Sequence, residues 1–98
     1  MPTSNRTAQA FDRLSTLNAA RERWHAIRFS NVNLSHAIVH VREEERSAHI
    51  LTDEYDAMTS LLLGMCQVER NRAWEEIVKL DQEIDTLTAQ LNNGVHDE

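Results

Sequence analysis

Residues that interrupt regular structure are nearly absent from the interior of this chain. Among its 98 residues, proline occurs only at Pro2 and glycine only at Gly64 and Gly94. A β-rich or α/β fold of this length needs many turns, which are built mainly from glycine, proline, asparagine and aspartate. The one such cluster inside the chain is residues 30–33 (SNVN). We therefore predict a single all-α domain with few connections.

A first helix is predicted over residues 6–29, after a disordered tail of residues 1–5. Its broad apolar stripe is expected to pack the hairpin through Leu14, Leu17, Trp24 and Ile27. Residues 30–35 (SNVNLS) are the best connector, because Asn31 and Asn33 tolerate turn geometry. A connector this short favours an antiparallel helical hairpin.

The second helix is predicted to be one long coiled-coil helix over about residues 36–92, with a frayed tail at 93–98. It carries two apolar seams at spacings of 3 and 4, out of phase by one residue: Ala48, Leu51, Tyr55, Met58, Leu62 and Met65, then Ala73, Ile77, Leu80, Ile84, Leu87 and Leu91. An undisturbed helix drifts this way against a heptad, so one continuous helix accommodates both seams. The alternative is a division near Thr52, where Thr52 and Asp53 could cap a new helix, or near Gly64.

These seams are predicted to meet a partner. A first helix of about 25 residues covers less than half of the long one, which leaves residues 65–91 uncovered. Each large aliphatic side chain there is worth roughly 1.5–3 kcal/mol when buried. The predicted partner interface is therefore Leu51, Tyr55, Met58, Leu62, Met65, Ala73, Ile77, Leu80, Ile84, Leu87 and Leu91.

The charges are unevenly placed along a chain of net charge −6. Residues 1–30 hold five arginines and two acids, or +3, whereas residues 31–98 hold five basic and fourteen acidic residues, or −9. Acidic flanks disfavour a parallel self-pair and favour either a basic partner helix or folding back onto the arginine-rich helix. They also disfavour nucleic acid as a partner. Residues 21–29 mix arginine with aromatic residues. We expect this stretch to pack in the core or an interface instead of contacting a membrane or nucleic acid.

Candidate chemical sites are few. His36 and His40 lie one helical turn apart and are weak candidates for zinc ligands, because Ala37 replaces the glutamate of the zinc-protease helix. Cys66 stands alone, which excludes an intrachain disulfide, and we expect it to be a buried small apolar residue. No phosphate-binding loop or nucleophile elbow is present. We predict no catalytic site, no metal and no cofactor.

The sequence thus predicts a non-enzymatic coiled-coil interaction protein. It would be a structural or adaptor subunit that assembles with another helical chain or with itself, in an oligomeric or hetero-oligomeric bundle. The alternative is a small acidic helical chaperone or inhibitor that masks a partner's apolar helix. No run approaches the ~18 apolar residues of a membrane span, and no signal-peptide core is present. The expected location is intracellular, cytoplasmic or nuclear.

Overall fold

Two α-helices make up the described part of the chain. A computed structural model describes the backbone of residues 2–93 and the side chains of residues 5–93. Within that range the helices are α1 (Pro2–Ser47) and α2 (Asp53–Asn93), and there is no strand. Residues 48–52 join them. The predicted all-α helical hairpin is therefore confirmed.

The predicted position of the connector is wrong, because residues 30–35 lie inside α1. The Asn31 amide donates a 2.9 Å hydrogen bond to the carbonyl of Ile27, and the Ser35 hydroxyl donates one of 2.9 Å to the carbonyl of Asn31. These polar side chains are satisfied by their own helix instead of forming a turn. The bounds predicted for both helices, 6–29 and 36–92, are wrong for the same reason.

The predicted tails differ from the structure as well. α1 begins at Pro2, so the backbone of residues 2–5 is helical. α2 ends at Asn93, and residues 94–98, with the predicted glycine cap, lie outside the described residues.

The turn ends α1 with a left-handed residue and starts α2 with a side-chain cap. His49 has φ 60°, while the amide of Ile50 donates to the carbonyl of Glu45 at 3.0 Å and that of His49 to Arg46 at 3.1 Å. This pair of bonds is the Schellman motif. Thr52 Oγ1 accepts from the amide of Tyr55 at 3.1 Å, which caps α2. α2 therefore begins next to Thr52, the site of one of the alternative divisions, although residues 36–47 belong to α1.

α1 and α2 contribute to two compact units, each built from a segment of both helices. Unit 1 contains the chain up to His25 together with the part from Glu75, and unit 2 is Ala26–Trp74. In unit 1, Leu17, Ile77 and Ile84 are buried. The prediction that residues 65–91 stay uncovered is wrong for Ile77 and Ile84, because α1 has 46 residues instead of about 25. Met65 and Val68 of that stretch are exposed.

Ion pairs in unit 1 join the arginine-rich helix to the acidic one. Arg13 lies 3.0 Å from Glu83, and Arg21 lies 3.1 Å from Asp81. The chain therefore follows the second of the two expectations from charge, in which α1 folds back onto the acidic helix. All four side chains are at least a third exposed, so each pair adds at most about 1 kcal/mol.

Candidate protein-interaction surface

One unbroken heptad row of α2 faces α1, and we call it the inner row of α2. Its members are Asp56, Thr59, Leu63, Cys66, Arg70, Ala73, Ile77, Leu80, Ile84, Leu87 and Leu91, all buried or half-buried. The inner row of α1 has the same spacing: Leu14, Leu17, Arg21, Trp24, Arg28, Asn31, Ser35, Ile38, Arg42 and Glu45. All of these except Arg28 are buried or half-buried. Both rows alternate steps of three and four residues, which is the heptad spacing.

The inner rows of unit 2 are mainly polar. Ile38 and Leu63 are their only large aliphatic side chains among the described residues. Arg42 lies 2.6 Å from Asp56, and the buried hydroxyl of Thr59 donates to the carbonyl of Asp56 at 3.0 Å. The Nε of Arg42 is buried without an acceptor in the described part of the chain, which costs about 1–3 kcal/mol. Apolar burial between the helices of unit 2 is therefore small.

Apart from Ile38 and Leu63, the large apolar side chains of unit 2 lie outside its inner rows. Besides Trp74, α2 carries five of them, with 40 to 67% of each residue exposed. We call them the outer row of α2: Met58, Leu61, Leu62, Met65 and Val68. In α1, Ile27, Leu34 and Val41 are also exposed, and each precedes an inner-row residue by one position.

Some of the exposed apolar residues of both helices share one side of unit 2, whereas Phe29 and Val39 lie away from it. Positions one residue before the inner row lie on the same side of two right-handed helices that run antiparallel. In α2 those positions include Met58, Leu62 and Met65, which precede Thr59, Leu63 and Cys66. In α1 they are the positions of Ile27, Leu34 and Val41. Unit 2 therefore has a side on which exposed apolar residues of both helices lie, and we call it the apolar side of unit 2.

A groove crosses the outer row of α2 at Gly64, which has no side chain. It is lined by Ser60, Leu61, Gly64, Met65, Val68 and Glu69. A Cβ added at Gly64 would have no atom within 4 Å. Leu61, Gly64, Met65 and Val68 stand at positions i, i+3, i+4 and i+7, which is the arrangement that receives a knob in a coiled coil.

The residues predicted for the partner interface fall into two groups. Met58, Leu62 and Met65 are exposed, and Leu51 and Tyr55 are half-buried. The others lie on the inner row of α2 against α1: Ala73, Ile77, Leu80, Ile84, Leu87 and Leu91. Two exposed residues, Leu61 and Val68, were not predicted. Their signal was available, since each stands three residues after a predicted interface methionine.

The four residues predicted to pack the hairpin differ in how deeply they are buried. Leu17 is buried, and Leu14 and Trp24 are half-buried on the inner row of α1. Ile27 is exposed at 37%, because it lies one position before the inner row. It belongs to the apolar side of unit 2 instead.

The remaining candidates are the two histidines, Cys66 and a membrane-spanning helix. His40 Nε2 lies 2.9 Å from Glu44 Oε1, and His36 is exposed. Among the described residues, no three His, Cys, Asp or Glu side chains group as metal ligands would. Cys66 is buried at 4% exposure, as predicted. Neither α1 nor α2, over residues 2–93, combines the length and apolarity of a membrane-spanning helix.

One arginine of unit 2 stands over an aromatic ring. The guanidinium of Arg28 stands 5.3 Å from the ring centroid of Trp74, within cation–π range. Val32, Arg70 and Asn71 line the same shallow pocket.

Comparison of the chain with protein-family models, with curated proteins and with solved structures found no match.

Proposed function

We propose that this chain is a non-enzymatic coiled-coil interaction protein. It would serve as a structural or adaptor subunit whose unit 2 packs its apolar side against another helical chain or a second copy. The observation that supports this is the reversal of polarity in unit 2. There, polar side chains occupy the seam between α1 and α2, while Met58, Leu62 and Met65 face outward.

Burial of the outer row of α2 would release enough free energy for weak association. Each outer-row side chain gains roughly 1.5–3 kcal/mol on full burial. About half of each is still exposed, so the five together offer roughly 4–8 kcal/mol. Association of two chains costs an estimated 4–15 kcal/mol. The outer row of α2 alone therefore gives weak binding, and tight binding needs the exposed row of α1 as well.

The alternative function is a small helical chaperone or inhibitor that masks a partner's apolar helix. It is favoured by the core of unit 1, where Leu17, Ile77 and Ile84 are buried within the chain itself. A chaperone must be folded before its client arrives, and such a core allows this. A helical, monomeric chain that releases its partner intact would support the chaperone over the permanent subunit.

The proposed function is tested with the triple variant Met58→Gln, Leu62→Gln, Met65→Gln. Glutamine keeps length and helix propensity while removing the apolar surface. The matched control is Phe29→Gln, Val39→Gln, which changes exposed apolar residues away from that side.

Three readouts are compared among wild type, triple variant and control. Far-UV circular dichroism checks folding, and light scattering gives the mass. Covalent cross-linking in cells then records the bound chains. We expect the triple variant to stay helical and to lose its assembly or its cross-linked partner, while the control keeps both. Equal masses and equal cross-links for all three proteins would contradict the proposed function.

A further inference from the structure

We infer that the outer row of α2 pairs with the outer row of a second copy, antiparallel about a two-fold axis level with Leu63. This inference rests on the proposed function and names the partner of the same surface. It follows from three features within unit 2: the spacing of the outer row, the charges at its ends and the groove at Gly64.

The outer row and its flanks have a palindromic spacing. From Glu54 to Arg72 the successive steps are 4, 3, 4, 3 and 4 through Glu54, Met58, Leu61, Met65, Val68 and Arg72. At 3.6 residues per turn, these positions fall within roughly 80° of the helix circumference. A two-fold axis level with Leu63 therefore places Met58 opposite Val68 of the second copy. It also places Leu61 opposite Met65 of the second copy.

The charges at the two ends of the row select the antiparallel direction. Glu54 and Arg72 are both exposed. The two-fold axis brings Glu54 of each copy opposite Arg72 of the other, which forms two attractive contacts per dimer. A parallel pair in register would instead place Glu54 beside Glu54 and Arg72 beside Arg72. Charge pairing of this kind acts mainly on orientation and specificity.

The groove at Gly64 supplies the matching shape. The axis brings Leu61 of the second copy level with the groove, whose walls are Leu61, Met65 and Val68. Since nothing stands within 4 Å of the missing Cβ, the helices can approach closely there. Both copies make the same contact, so each leucine knob has its own hole.

A charge-swap experiment on the full chain tests this pairing. Four proteins are compared by analytical ultracentrifugation over a concentration series at low salt: wild type, Glu54→Arg, Arg72→Glu and the double variant. Each single change turns two attractive contacts per dimer into repulsive ones, each worth tenths of a kcal/mol. We expect the dimer dissociation constant to rise about fivefold to tenfold. The double variant is expected to return to within about twofold of wild type.

Local effects are controlled separately. Glu22→Arg reverses an exposed charge in unit 1 and should leave the dissociation constant unchanged. Far-UV circular dichroism confirms that each variant remains helical.

Three results would overturn the inference. A dimer that the single variants leave unchanged, or one that the double variant fails to restore, would mean another pairing geometry, and the proposed function would stand. A wild-type chain that is monomeric at every concentration would exclude the second copy. The proposed function fails separately, by the equal masses and cross-links of the glutamine triple variant.

Discussion

Replacement of Gly64 by alanine is expected to stabilise the folded monomer. α2 continues as a helix through this position, and the added Cβ would meet no atom within 4 Å. A glycine inside a helix loses more backbone entropy on folding than alanine does. The substitution therefore adds about 1 kcal/mol to the free energy of unfolding. For a chain of this length, that corresponds to a rise in Tm of about 4–8 °C.

The measurement is thermal and urea unfolding followed by circular dichroism, at a concentration where light scattering gives the monomer mass. Ser60→Ala is the matched control, since Ser60 is exposed one turn earlier in α2. Its gain should be smaller, because serine is a better helix former than glycine. A loss of stability in Gly64→Ala would refute the reasoning. It would mean that α2 bends at this residue or that a neighbour occupies the space.

The same substitution is expected to weaken the inferred dimer. The new methyl group stands on the floor of the groove that receives Leu61 of the second copy. A concentration series separates the two effects, because only the dimer depends on protein concentration. We expect a higher monomer stability together with a higher dimer dissociation constant. Tighter association in Gly64→Ala would contradict the assignment of the groove.

Three further predictions concern the turn and the core, each measured by urea unfolding of the monomer. His49→Gly should raise the free energy of unfolding by about 0.5–1 kcal/mol, since glycine adopts a positive φ without strain; no gain would mean that His49 is not strained. Thr52→Ala should lower it by about 0.5–2 kcal/mol through loss of the cap, and an unchanged value would exclude the cap. Ile77→Ala should lower it by about 2–5 kcal/mol, because Ile77 is fully buried, whereas Leu61→Ala should change it by less than about 0.5 kcal/mol.

The fold class was predictable from the scarcity of glycine and proline, but the position of the turn was not. The asparagines and serines of residues 30–35 look like a turn, yet Asn31 and Ser35 bond to carbonyls of α1. The observed turn contains no glycine, proline or asparagine, and His49 takes the left-handed position. The one sequence signal for it was the capping pair Thr52 and Asp53. A polar side chain can serve a helix or a turn, and only the surrounding contacts decide which.

For a related reason, the apolar spacing of α2 did not distinguish the row that faces α1 from the row that is exposed. Hydrophobic spacing assigned Met58 and Met65 to the same kind of seam as Ile77. Extending the heptad backward from Ile77 in steps of seven leads instead to Arg70, Leu63 and Asp56. An apolar pattern identifies a face that avoids water, but it does not say which partner covers that face. In unit 2, α1 covers the inner row of α2, which is mainly polar there, and the apolar outer row is exposed.

The polar inner rows of unit 2 give the apolar side a defined alignment. Arg42 and Asp56 pair across the seam at 2.6 Å, and a polar pair at a core position fixes register at some expense of stability. That register brings Leu34 of α1 level with Gly64 of α2, within the outer row. Burial of both rows in the proposed assembly would add the apolar stabilisation that the seam of unit 2 lacks. Under this proposal, folding would depend mainly on the core around Ile77 in unit 1, and association would depend on the apolar side of unit 2.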